Sequence, residues 1–150
     1  MLQENTVAPD FTVLSDTGEE TSLSEFRGRK VVLYFYPKDD TSGCTKEACS
    51  FRDSYAEYAA KGAIVLGVSP DSVKSHVKFK TKLGLPFLLL ADPEHTVAEA
   101  YGVWAEKKMY GRTYMGILRT TFVIDEEGVI IKVFPKVKPA EHAAEVLPYL

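Results

Sequence analysis

Apolar residues along this chain fall into unbroken runs that alternate with stripes at helical spacing. Val31 to Tyr36 and Ala63 to Val68 are continuous β-branched, aliphatic and aromatic runs, the pattern of strands covered on both faces. Pro86-Phe87-Leu88-Leu89-Leu90 predicts a third strand. Between the first two, Ala48, Phe51, Tyr55, Tyr58 and Ala59 recur at helical spacing. They predict a helix over about 43–61, capped by Thr41 or Ser42 and ended by Gly62. Ser69-Pro70-Asp71-Ser72 opens a second helix reaching about Leu83, with Pro70 near its first turn. Thr96 to Tyr101 forms a short third helix closed by Gly102, and Pro139 to Leu150 a terminal one. Two hairpins stand out: Phe11–Leu14 with Glu20–Ser22 across Ser15–Gly18, and Thr120–Ile124 with Val129–Phe134 across Asp125–Gly128. Leu23 to Phe26 reads as a single helical turn.

A βαβα half followed by a ββα half implies an α/β protein with a central mixed sheet and helices on both faces. This is the thioredoxin-like arrangement, here preceded by an N-terminal β-hairpin. At 150 residues, without repeats or linker-like stretches, the chain reads as one domain over 1–150. A net charge of −3 argues against a nucleic-acid partner or an anionic membrane surface, both of which call for a basic patch. The N-terminal segment Met1–Thr6 lacks the basic and apolar regions of a signal peptide. No apolar run approaches the ~18 residues of a membrane span. A cytoplasmic location is the resulting expectation. In that reducing compartment the two cysteines read as catalytic, redox-active or inert, not as a structural disulfide.

Those cysteines, Cys44 and Cys49, lie five residues apart directly after the Val31–Tyr36 run and a short polar turn. Free cysteine often serves as a small buried hydrophobe. Cys44, however, opens the predicted helix instead of joining its apolar stripe. There, unpaired N–H groups and the dipole favour thiolate, the form that attacks peroxide to give a sulfenic acid. Gly43 leaves room beside it. On an ideal helix the two cysteines are ~140° apart around the axis, with Cα atoms roughly 8–9 Å apart, beyond the ~7 Å limit for a disulfide. The spacing rules out a comfortable bridge in the intact helix and permits a transient one when the first turns open. Cys49 is otherwise simply buried.

Neighbouring residues carry both chemical and structural readings. Thr41 is a turn or cap residue, or its hydroxyl donates to a bound oxygen and accepts from a peroxide O–H. Pro37 terminates the strand and can also shield a thiolate from water. Arg119 is a surface residue, or a strand-end cation that stabilises a thiolate and a polarised O–O bond. Glu47 reads as a dipole-complementing or capping residue, and Lys38, Asp39 and Asp40 as a solvated loop. His76, His95 and His142 each lie in a polar stretch and read as surface residues. With two cysteines they do not give zinc-ligand spacing. No Cys-x-x-Cys is present, which counts against a thioredoxin-type exchanger.

The set Pro37, Thr41 and Cys44 fills the pattern Pro-x-x-x-Thr-x-x-Cys, and with it the chain resembles the peroxiredoxins. Tyr34-Phe35-Tyr36-Pro37-Lys38, together with a cysteine five residues beyond the first, is similar to the bacterioferritin-comigratory, or Q-type, subgroup. Ala8-Pro9-Asp10-Phe11, Gly102-Val103-Trp104 and Arg119–Asp125 extend the resemblance over nearly the whole chain. It implies that Cys44 is the peroxidatic cysteine and Cys49 the resolving one, joined in an intramolecular disulfide. Thr41 and Arg119 would align and polarise the peroxide, and Pro37 would screen the site. Thioredoxin or a similar dithiol protein would reduce the disulfide, with no metal or organic cofactor. The subgroup implies a monomer, or at most a weak dimer. The Glu106–Ile117 segment, with Met109, Tyr110, Tyr114 and Met115, would lie near the site mouth and either bind the reductant or pack locally. The leading expectation is a thiol peroxidase. A thiol–disulfide exchange protein and a peroxide sensor are the alternatives, separated by whether peroxide is turned over.

Overall fold

The computed structural model describes residues 1–150. Two short strands, β1 (Thr12–Leu14) and β2 (Glu20–Ser22), pair antiparallel as the predicted N-terminal hairpin. Its turn contains Gly18 at φ 82°, a backbone conformation that residues bearing a Cβ adopt at a cost. A 3₁₀ turn at Leu23–Phe26 leads to β3 (Lys30–Phe35). The predicted 43–61 helix is two helices, α1 (Ser42–Asp53) and α2 (Tyr55–Ala60). The break falls at Ser54, φ −101°, ψ 5°, a residue type whose side chain competes for backbone hydrogen bonds inside helices.

Strand β4 (Ala63–Ser69) and helix α3 (Val73–Leu83) follow. The Ser72 side chain caps α3 by accepting from Ser75 N–H, with Pro70 two residues before the cap. Next come β5 (Leu88–Ala91), α4 (Thr96–Ala100), β6 (Trp104–Met109) and β7 (Arg112–Ile117). The chain ends with β8 (Thr120–Ile124), β9 (Ile130–Phe134) and α5 (His142–Val146). The predicted terminal helix is one α segment flanked by 3₁₀ turns at Pro139–Glu141 and Leu147–Tyr149. Pro148 supplies no N–H to continue an α-helix.

The central sheet has the order β5-β4-β3-β8-β9. β3, β4 and β5 run parallel, whereas β8 and β9 are antiparallel to their neighbours. It is the mixed sheet of a thioredoxin-like fold. Alternation along β3 divides the core. Val31, Leu33 and Phe35 pack with Val97, Ala98 and Tyr101 on the α4 side. Val32, Tyr34 and Tyr36 pack with Cys44, Ala48, Phe51, Tyr58, Phe79 and Val146 from α1, α2, α3 and α5. Each fully buried aliphatic or aromatic side chain contributes about 1.5–3 kcal/mol. Tyr34 is opposite Gly67 on β4, and a Cβ at Gly67 would lie 2.9 Å from both the Tyr34 ring and Leu89 Cδ2. A glycine inside a buried strand here leaves room for an aromatic ring.

Register places the site. Phe35, the last residue of β3, is opposite Val68 on β4 and Thr120 on β8. Arg119 therefore lies at the same end of the sheet at which β3 gives way to Pro37 and then to α1.

Candidate active site

Cys44 is the third residue of α1 and is only 1% exposed. The sequence placed it off the apolar stripe, but α1 buries Cys44, Glu47, Ala48 and Phe51. That i, i+3, i+4, i+7 spacing is one helix face, so Cys44 both begins the helix and belongs to its buried side. Thr41 is the N-cap residue, yet its side chain makes no capping bond. Its hydroxyl donates instead to Lys38 C=O at 2.8 Å. The donor role expected of Thr41 is thus committed to the protein, and its oxygen remains as an acceptor. The first N–H groups of α1 have no acceptor within the helix. Half-buried Pro37 lies at the start of the loop.

Arg119 links the group. Nη2 donates to Cys44 Sγ at 3.1 Å, and Nη1 donates to Glu47 Oε1 at 2.6 Å. Its side chain is 22% exposed while Glu47 is fully buried. The planar guanidinium spans sulfur and carboxylate with separate nitrogens, as a lysine ammonium cannot. Burial pushes the Glu47 carboxyl up to about 7, against the pull of Arg119. Burial also works against the charge on Arg119, but Glu47 and Cys44 outweigh it and raise its affinity for its proton. Glu47 Oε2 and the Tyr34 hydroxyl are buried without hydrogen-bond partners in the protein. Burial, followed by the nearby Glu47 and Cys44, holds the Tyr34 hydroxyl well above its ordinary value. A Cβ at Gly43 would lie 3.3 Å from Arg119 Nη2, so the glycine before Cys44 gives the guanidinium its approach.

Cys49 is half-buried in the same helix, and both cysteines are free. Their separation is that of intact α-helix. Glu47 is more than a capping group: its signal was the i, i+3 relation to Cys44. Asp39 is buried rather than solvated, and His76 and His142 are fully buried rather than on the surface. His76 shares an α3 stripe with buried Phe79, a spacing its polar neighbours conceal. His142 lies 2.7 Å from Thr121 Oγ1 and 3.1 Å from Glu145 Oε1, and burial lowers its affinity for a second proton. His95 is partly exposed and stacks on Trp104 with centroids 4.0 Å apart. The 106–117 segment is the β6–β7 hairpin, separate from the central sheet. Ile117 at its base is buried, and Tyr110 at its tip is 97% exposed.

A sulfur at a helix start, faced by a strand-end arginine on a thioredoxin-like sheet, defines a thiol-based redox protein. The family model described as AhpC/TSA family matches residues 5–133. The chain is 55% identical to peroxiredoxin Bcp of Bacillus subtilis over 143 residues, 95% of this chain and 91% of that one. A structure of the Xanthomonas campestris bacterioferritin comigratory protein, described in terms of its alkyl peroxide reduction activity, superposes with TM-score 0.88 at 41% identity. That match covers 93% of this chain and 88% of the other. The peroxidoxin BcpB structure from Mycobacterium tuberculosis gives TM-score 0.88 at 35% identity, over 99% and 96% of the two chains. The chain belongs to the AhpC/TSA family and is a peroxiredoxin of the Bcp, or Q, type. Membership implies a peroxide substrate and a thiol reductant. No helix is long and apolar enough to cross a membrane.

Proposed function

We propose that this peroxiredoxin reduces hydrogen peroxide and organic hydroperoxides in a two-cysteine cycle. The Cys44 thiolate attacks the terminal oxygen of ROOH. An S–O bond forms, the O–O bond breaks, and its electron pair leaves on RO⁻, which takes a proton to give ROH. Cys44 then carries a sulfenic acid. The Cys49 thiol attacks that sulfur, forming S–S and releasing water. Thioredoxin or a similar dithiol protein returns both thiols and leaves with the disulfide. The enzyme acts as a cytoplasmic monomer.

The observation that carries this reading is the 3.1 Å contact from Arg119 Nη2 to Cys44 Sγ. A permanent cation there stabilises the thiolate and the charge that develops on the departing oxygen. Thr41 Oγ1 accepts the substrate O–H, Pro37 screens the sulfur, and the open N–H groups at the start of α1 add positive potential. Cys49 is reached by unwinding the first turns of α1, a local opening at a helix end.

The test is peroxide consumption coupled to thioredoxin, with mass spectrometry after one equivalent of hydrogen peroxide. Wild type should lose two hydrogens in a peptide joining Cys44 to Cys49, and Cys44→Ser should be inactive. Peroxide turnover by Cys44→Ser, or a thiol product other than that bridge, overturns the assignment. Reduction of a protein disulfide in the absence of peroxide would instead favour an exchange protein.

A further inference from the structure

His76 on α3 is fully buried and takes no part in the cycle described above. Its Nδ1 lies 2.7 Å from Asp39 Oδ2, and its Nε2 lies 3.0 Å from Leu90 C=O. Both nitrogens thus lie within hydrogen-bond distance of an oxygen, one on Asp39 and one on the backbone of β5. Asp39 is the midpoint of the Pro37–Thr41 connection between β3 and α1. Its carboxylate also accepts from Tyr36 Oη at 2.6 Å and Ser75 Oγ at 2.8 Å. Its N–H donates to Asp71 Oδ2 at 2.7 Å, an oxygen that also accepts from Ser69 Oγ at 2.7 Å. Burial opposes ionisation of Asp39, but the bonds from His76 and Tyr36 prevail and hold its carboxyl below the usual value.

The middle of the loop is thereby tied on several sides to the β4–α3 corner and to α3. Lys38, the next residue back, offers the carbonyl that fixes the Thr41 hydroxyl. A chain of fixed atoms runs from His76 through Asp39 and Lys38 to Thr41. The nearby donor atoms of Asp39, Asp71 and His76 lie within 4.8 Å of one another. The Asp39 and His76 atoms are already spent on protein hydrogen bonds, so the group forms a clamp.

We propose that His76 is a positioning residue for peroxide reduction: through Asp39 it holds the loop on which Thr41 meets the substrate and from which α1 presents Cys44. This rests on the roles given to Cys44 and Thr41 under Proposed function. A looser loop would let the Thr41 oxygen drift from the attacking geometry, and small displacements there are costly in rate.

Two substitutions separate positioning from bulk stability. In His76→Asn the amide nitrogen falls near the position of Nδ1 and keeps a donor toward Asp39. In His76→Gln it falls near Nε2 and keeps only the bond to Leu90. Each loses one of two hydrogen bonds, so both should lower the melting temperature, His76→Gln by more because its lost partner is a carboxylate. The second-order rate of Cys44 oxidation by hydrogen peroxide should differ between them. His76→Asn is expected within about threefold of wild type, and His76→Gln about tenfold slower, the scale of one lost hydrogen bond to a charged group. A rate for His76→Gln less than threefold below that of His76→Asn overturns the proposal. Should either variant fail to fold, Asp39→Asn replaces it, with at least a fivefold loss expected and anything smaller overturning the idea. Cys44→Ser run alongside keeps the two claims distinct. If peroxide is consumed without Cys44, the cycle itself fails; if only the His76 series is flat, the cycle stands and the clamp does not.

Discussion

Replacing Glu47 by Gln should remove a specific part of the protein's pH-dependent stability. Burial raises the Glu47 carboxyl from its ordinary 4.5 to about 7, with Arg119 opposing. A carboxyl raised on folding binds its proton more tightly in the native state. Its contribution is therefore complete below about pH 4.5 and is lost as pH rises through about 7. At ~1.4 kcal/mol per unit, the rise from 4.5 to about 7 amounts to about 3 kcal/mol. Glutamine has the same shape and stays neutral, and its carbonyl oxygen can still accept from Arg119 Nη1. Urea unfolding of both proteins at pH 5 and pH 8.5 isolates the effect, because every other titrating group is common to the two. The unfolding free energy of wild type should fall between those pH values by about 2.5 kcal/mol more than that of Glu47→Gln, because the unfolded carboxyl is already mostly ionised at pH 5. For a chain of this length that is a difference of roughly 5–10 °C in melting temperature. Parallel pH profiles, or a wild type that gains on the variant with rising pH, would refute the reasoning. They would mean that the 2.6 Å contact with Arg119 outweighs desolvation of the carboxylate.

Cys49→Ser should still react once with peroxide at Cys44 but lose thioredoxin-dependent recycling and accumulate sulfinic acid, read by mass; undiminished steady-state turnover removes the resolving role. Arg119→Lys should slow the peroxide step by roughly 10–100-fold, because an ammonium lacks the planar two-nitrogen fork that reaches both Cys44 and Glu47; an unchanged second-order rate with hydrogen peroxide shows that the fork is unnecessary. Gly67→Ala should cost about 1–3 kcal/mol through overpacking against Tyr34 and Leu89; a melting temperature equal to that of wild type would show that the ring moves aside freely.

The central sheet is legible because β3 and β4 are buried on both faces, which gives long apolar runs, and because the Asp125–Gly128 turn marks β8 and β9 as a hairpin. The β6–β7 hairpin is hidden for the opposite reason: most of its residues are exposed or half-exposed on both sides, so Glu106-Lys107-Lys108 and Arg112-Thr113-Tyr114 show no alternation. The proposed site residues Cys44, Cys49, Thr41, Pro37 and Arg119 are read from the motif and the strand order, and β3–β8 register accounts for the contact between Arg119 and Cys44. Asp39 and His76 escape detection because their partners lie far apart in the chain. Nothing local distinguishes a carboxylate clamped by an imidazole 37 positions away from one in water.

The Thr41 hydroxyl gives its hydrogen to Lys38, so what it offers a visitor is a lone pair. Hydrogen peroxide and alkyl hydroperoxides can meet that lone pair, since each carries at least one O–H. A dialkyl peroxide has the same weak bond but no such hydrogen, and a protein disulfide has neither. Under the role proposed for Thr41, one internal hydrogen bond, set before any substrate arrives, favours peroxides that carry an O–H over those that do not.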